Sequence, residues 1–268
     1  NIDFSIPGFD KKSERYFVGT QLAWTPIQKL RFYTYSLIQK DKSDPQPISG
    51  VDFAYYSQHW GIGSSLSNVF GFSSWAEYIL ETGTSAIFAT PERSAVLAQA
   101  ANIGMNYLFP FLTHPDITLE YAYGSGDKDR TSVTNTEGGN LRGNDNNFLP
   151  FGAYPAGYAL APTLSNLQIF RVGSSVRPLE KFWQLKNLKV GVDSYFYWKD
   201  EVKGGIYDLD ATLKGKGVGR EVDVNLHWQV VSDITASIRW GIFFPTGAYP
   251  SGTNDPEIYL STTFTFVL

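Results

Sequence analysis

The stretch EVDVNLHWQVVSD, Glu221 to Asp233, decides how this chain folds. Val222, Val224, Leu226, Trp228 and Val230 fall on one side of an extended backbone, and Glu221, Asp223, Asn225, His227 and Gln229 on the other. Side chains of a strand alternate with period two, so the stretch reads as a β-strand with one apolar and one strongly polar face. Either the apolar face packs on protein and the polar face meets solvent, or the apolar face meets lipid and the polar face encloses water.

The same alternation recurs along the chain. RYFVGTQLAWTP puts Tyr16, Val18, Thr20, Leu22 and Trp24 on one face. KLRFYTYSLIQKD, GVDFAYYSQHW, WAEYILETG, RSAVLAQAANIGMNYL, ITLEYAYG, LQIFRVGSSVRP and NLKVGVDSYFYWKD follow. After the opening stretch come ITASIRWGIFF and EIYLSTTFTFVL. This gives about eleven strands, many of about 11–14 residues, where soluble strands most often have about 5–6. A tilted strand needs about 9–11 residues to cross a bilayer. No stretch approaches the roughly 20 apolar residues of a membrane helix. The connections alternate too. Short turns are expected at Thr25–Lys29, Thr113–Asp116 and Val231–Ile234, and long polar loops at 126–166 and 199–217. Two connections on the short side, Gly63–Ser74 and Pro178–Lys186, are expected to be longer.

Composition narrows the function classes. The 22 basic and 26 acidic side chains leave a net charge of -4, without the basic excess of a nucleic-acid binder. With no Cys, disulfides and thiolate metal sites are excluded. Aromatic residues make up 16%. Trp24 and Trp198 lie near strand ends on the apolar face, as in an interfacial girdle. The polar face carries Arg31, Asp52, Glu77, Glu81, Glu120, Arg171, Arg177, Lys189, Asp193, Glu221, Asp223 and Arg239, interleaved with Tyr. Charges of both signs at that density suit an aqueous lumen, where they cross-link neighbouring strands. The expected fold is therefore an all-β, antiparallel transmembrane β-barrel forming one domain over residues 1–268. In bacterial barrels an even strand number keeps both termini in the periplasm. Eleven strands would put Asn1 outside, so the chain is expected to be the C-terminal portion of a larger barrel.

Two stretches carry a family resemblance. EVDVNLHWQVV…ASIRWGIFFPTGAYPSGT…TFTFVL resembles the end of alginate-export outer-membrane proteins, and ALAPTLSNLQIFRVG, Ala159 to Gly173, resembles their Leu-Ser-Asn-Leu segment. Together they cover about the last 110 residues. The turn FFPTGAY departs from the pattern by interposing Thr246. The resemblance implies an outer-membrane barrel of up to eighteen strands whose electropositive lumen passes a polyuronate outward. It puts Arg239, and more loosely Arg171, at lumen-facing basic positions.

Arg or Lys rings give anion selectivity, and the Arg fork grips carboxylates. The pore-lining candidates are Arg31, Arg171, Arg177, Lys189, Lys199 and Arg239, with the acids Asp193, Glu221 and Asp223. The competing role for each cation is to pair with one of those acids and brace the barrel. His227 shares a face with Glu221 and Asp223, but no nucleophile or second His stands at a useful spacing. DKDRTSVTNTEGG, Asp127 to Gly139, lacks the alternating ligands of a calcium loop and is expected as a solvated outer loop. FLPFGAYPAGY, Phe148 to Tyr158, either folds into the mouth or packs on the rim. The expectation is a non-enzymatic channel in the bacterial outer membrane, without cofactor or metal. Its expected contacts are outer-membrane lipid or lipopolysaccharide and an anionic polysaccharide or solute, not nucleic acid. The alternatives are a non-transporting barrel that docks partners on its long loops and a soluble carbohydrate-binding β-domain.

Overall fold

The structure is a computed structural model and describes residues 15–41, 56–88, 90, 92–134, 136 and 139–267. The expectations at Asp52 and the rest of 51–55 lie outside these residues. Among them the regular structure is all strand: β1 (Arg15–Ile27), β2 (Leu30–Asp41), β3 (Tyr56–Val69), β4 (Phe72–Ala86), β5 (Arg93–Leu108) and β6 (Asp116–Gly124), then β7 (Leu167–Val176), β8 (Leu188–Lys199), β9 (Gly217–Val231), β10 (Ile234–Pro245) and β11 (Glu257–Phe266). They form one antiparallel sheet in sequence order, each strand paired with its chain neighbour; β1 and β11 are not paired with each other among the described residues.

The register fixes the faces. Asp193 pairs with Asp223, Asp223 with Gly241, and Arg239 with both Asn225 and Ser261. Directly opposed residues share a face, so the odd positions of β7–β11 line one side, called here the inner face. The even positions point outward, except Val218 at the start of β9, where the register with β8 shifts. On that outer side Leu22, Trp24, Ile62, Ile258, Leu260 and Phe264 are each more than 60% exposed. Single exposed apolar residues are ordinary, but a whole sheet face of them exceeds the few hundred Å² a soluble surface carries. No second sheet covers that face among the described residues, which removes the soluble sandwich reading.

One expectation is corrected here. Gly63–Ser74 is not a loop. β3 runs on to Val69, and the turn is only Phe70–Gly71. The small residues that suggest a connection are slots for rings of the adjacent strand. A Cβ on Gly61 would sit 2.2 Å from the Tyr35 ring, and one on Gly63 2.3 Å from the Tyr33 ring. The aromatic rings cover the glycines and hold the pairing. The 177–187 connection, by contrast, is as long as expected.

The protein core sits on the inner face at the long-loop end. Leu167, Ile169, Tyr197, Val218 and Phe243 from the strands pack with Ala156 and Leu164, Ile206 and Ala211, and Ala248 and Tyr249 from three successive long loops. The loops stay on the sheet because each brings its own apolar residues to it.

Candidate functional site

The connection between β6 and β7, residues 125–166, folds back across the inner face instead of standing in solvent. Its aromatic half is anchored strand by strand. His59 Nε2 on β3 lies 2.9 Å from the Leu149 carbonyl, and the Leu149 N–H donates to Glu81 on β4 at 2.9 Å. Tyr154 donates to Glu120 on β6 at 2.9 Å and accepts from Asn102 on β5 at 3.1 Å. Tyr197 on β8 donates to the Ala156 carbonyl at 3.1 Å. On β9, the Glu221 carboxylate accepts three consecutive backbone N–H groups, those of Tyr158, Ala159 and Leu160, at 2.5, 2.7 and 3.0 Å. Gly157 permits that approach: its φ is +90°, and a Cβ would lie 2.7 Å from the Glu221 carboxyl. Three convergent N–H groups are a strong carboxylate receptor, so Glu221 is spent on the loop. The aromatic run therefore folds into the mouth.

The polar half of this loop corrects a second expectation. Asp127, Arg130 and Thr136 of the Asp127–Gly139 stretch are buried, not solvated, and so are Asn140, Asp145 and Asn147 just after it. Neighbouring groups hold them: Arg130 pairs with Asp145, Ser85 of β4 donates to Asp145 at 2.8 Å, and Asn147 donates to the Thr136 carbonyl and to Ser165, while the side-chain carbonyls of Asn140 and Asn147 accept no hydrogen bond among the described residues. Burial raises the Asp145 pKa, and Arg130 opposes the rise. Burial also raises the Tyr154 phenol pKa, with Glu120 adding to it, so this hydroxyl stays a proton donor. No group of His and carboxylate residues able to hold a metal occurs among the described residues.

Beside the loop stands a second network. Arg171 Nε donates to Asp193 at 2.8 Å, its Nη1 donates to Glu120 at 3.1 Å, and its guanidinium lies 5.8 Å from the Tyr195 ring. Tyr33 and Tyr35 both donate to Glu77, Tyr35 at 3.0 Å. At the short-turn end Asp116 accepts from Ser175 and lies 3.6 Å from Lys189.

The candidate residues thus separate by surroundings. Arg171, Asp193 and Glu221 face inward but are engaged with protein partners. Asp223 is also inward and buried, without a hydrogen-bonding partner for either oxygen among the described residues. Lys199 is completely buried at the end of β8, donating to the Leu213 carbonyl at 3.2 Å. Arg177 lies one residue past β7, its N–H held by the Thr113 carbonyl. Arg31 and Arg239 face inward and stay exposed, each over a tyrosine ring, Tyr33 at 5.5 Å and Tyr158 at 5.7 Å. Lys189 is half exposed. The residues that sequence reasoning did not single out are those that anchor the loop, Tyr154, Asn102, Tyr197 and His59. Their only advance signal is the aromatic density of Phe148–Tyr158.

The comparisons extend this picture. A family model described as Alginate export matches residues 7–257, well beyond the 110 residues that carry the resemblance in the sequence. No match was found among curated protein sequences. Among solved structures, the outer membrane channel DcaP of Acinetobacter baumannii is similar in fold. Its TM-score is 0.52 at 12% identity, covering 99% of this chain and 68% of that one. A single antiparallel sheet with an uncovered apolar outer face, an inner face of charges, and a family match over most of its length lead to one assignment: the chain belongs to the alginate-export family and is an outer-membrane channel protein.

Proposed function

We propose that the channel passes anionic solutes, an acidic polysaccharide among them, along the inner face. The observation that carries this is an asymmetry in how the two signs of charge are used. The inward acids Glu77, Glu120, Asp193 and Glu221 are occupied by tyrosines, by Arg171 or by loop N–H groups, and Asp223, which has no such partner among the described residues, is buried out of a solute's reach. The inward cations Arg31, Arg239 and Lys189 keep exposed heads. Lys189 shares its charge with Asp116 at 3.6 Å, so the uncompensated charges that a solute meets on this face, among the described residues, are the guanidinium groups of Arg31 and Arg239. Exposed charge pairs in water are worth only about 1 kcal/mol or less, which suits a polymer that must slide rather than lodge. Tyr33 and Tyr158 beneath the two arginines hold the guanidinium planes without consuming their hydrogen-bond donors.

The experiment is reversal potential in a planar bilayer under a KCl gradient, followed by added oligouronate or a neutral oligosaccharide of equal length. Anion preference and stronger block by the oligouronate are expected. Cation preference, or equal block by both sugars, overturns the reading. A barrel sealed by its inward loop and serving as a scaffold would show no conductance steps at all.

A further inference from the structure

Among the described residues the longest connection at the short-turn end is 177–187, and it turns outward. Trp228 occupies an outward position of β9, and its indole N–H donates to the Gln184 carbonyl at 3.0 Å. That bond pulls the turn toward the apolar side of the sheet, away from the inner face. Three successive i→i+3 bonds, from Phe182 to Leu179, Leu185 to Phe182 and Leu188 to Leu185, give it a compact backbone. Such a turn would ordinarily bury its apolar side chains, yet Phe182 is 60% and Trp183 76% exposed. The ammonium of Lys186 lies 4.0 Å from the Trp183 ring centroid, and Lys181 stands exposed beside Phe182.

The neighbouring turn repeats the chemistry. Outward Tyr107 near the end of β5 meets Phe109 edge-on at 4.9 Å, and Phe109 stacks on Phe111 at 5.9 Å. An aromatic ladder thus runs from the lipid-facing wall into a turn tip where Phe111 and Leu112 are exposed. The two turns are tied together. The Arg177 N–H donates to the Thr113 carbonyl at 2.8 Å, and His114 Nε2 lies 3.1 Å from Glu180.

We propose that turns 109–115 and 177–187 form one foot that seats in the headgroup region of the periplasmic leaflet. Phe111, Phe182 and Trp183 enter the acyl boundary, while Lys181 and Lys186 meet the phosphates of anionic lipids. The occupant follows from continuity: the patch extends the hydrocarbon-facing wall past the strand ends, where the phosphate layer begins. Aromatic rings with an apolar body and a polar edge collect at that depth, and Lys stems reach from it to phosphate. Short turns lie on the periplasmic side of outer-membrane barrels, which sets the leaflet. Nothing in this requires solute to pass along the inner face, so it stands or falls apart from the substrate reading.

The absence of Cys makes the test direct. Gln184→Cys and, in the long β8–β9 loop, Thr212→Cys each take an environment-sensitive fluorophore without removing an apolar anchor. Both labelled proteins are reconstituted in vesicles of phosphatidylcholine with and without phosphatidylglycerol, and heat-modifiable gel mobility verifies folding. The Gln184 probe should be quenched by headgroup-level spin-labelled lipid and shielded from aqueous iodide several-fold relative to Thr212. Equal iodide access at the two sites overturns the foot. The shielding should deepen with phosphatidylglycerol, and Lys181→Glu with Lys186→Glu should abolish that increment while leaving the phosphatidylcholine signal. An increment that survives both substitutions, or never appears, overturns the phosphate contact.

Discussion

The Glu221 carboxylate accepts the backbone N–H of Ala159 at 2.7 Å, with the N–H groups of Tyr158 and Leu160 on either side. This latch joins a strand of the sheet to a loop that crosses its inner face. Hydrogen bonds to a buried charge contribute about 1.5–3 kcal/mol each, and not additively. Glu221→Ala should therefore loosen local loop closure by about 3 kcal/mol. Hydrogen exchange at residues 158–160 would then rise roughly a hundredfold, at about 1.4 kcal/mol per factor of ten, while the sheet amides hold. Glu221→Gln keeps one carbonyl acceptor and should fall between. Unchanged exchange in Glu221→Ala would mean that packing alone holds the loop.

Arg171 bridges Asp193 and Glu120, so its removal leaves two carboxylates without their cation. Breaking a fully buried pair costs about 3–5 kcal/mol. With 29% of the Arg171 side chain exposed, solvent screening brings the expected loss nearer to about 2 kcal/mol. Arg171→Met should lower the thermal midpoint of the folded protein in detergent. Arg171→Lys should recover little of it, because one ammonium cannot span both acids as the planar fork does. Full rescue by lysine would reduce the site to simple charge balance.

Most of the sheet is legible in the sequence because period two survives in nearly every strand. The register of β9 can be read from Glu221, Asp223 and Asn225 alone. β3 is the exception, and the reason lies in a neighbour: Gly61 and Gly63 have no side chains to alternate, and the bulk at those positions belongs to Tyr35 and Tyr33. A pattern written across two strands is invisible along one. The inner loop fails differently. Asp127, Asn140 and Asn147 look solvated because polar residues usually are, yet here they are buried and bonded to backbone and hydroxyl groups of the loop and of β5. Nothing in their spacing announces that. Lys199 is likewise legible as inward and illegible as buried, since the loop residue Leu213 whose carbonyl accepts its hydrogen bond lies 14 positions away.

The glycine slots make their own prediction. Gly61→Ala puts a methyl into the Tyr35 ring and should cost about 1–3 kcal/mol, as overpacking does. Tyr35→Ala alone loses the ring and its bond to Glu77. Combining the two should cost less than their sum by 1 kcal/mol or so, since contacting residues couple on that scale. A strictly additive pair, measured by denaturant unfolding in detergent, would show that the ring does not sit over the glycine.

Exposure, not charge alone, should decide which cations govern selectivity. Arg31→Glu and Arg239→Glu each reverse an exposed inward head and should shift the bilayer reversal potential toward cations, the double variant more than either. Lys199→Met removes a charge buried beneath a loop, and Arg177→Glu alters one that lies beyond the end of β7. Both should leave the preference close to that of the parent protein. Because screening extends only about 10 Å at 0.1 M salt, the shifts for Arg31 and Arg239 should shrink as KCl is raised. A local head on the permeation path loses its influence in that way, whereas a change in bore width would persist at every concentration. Equal shifts from all four substitutions would mean that ions respond to net charge and that the two exposed arginines have no special place on their route.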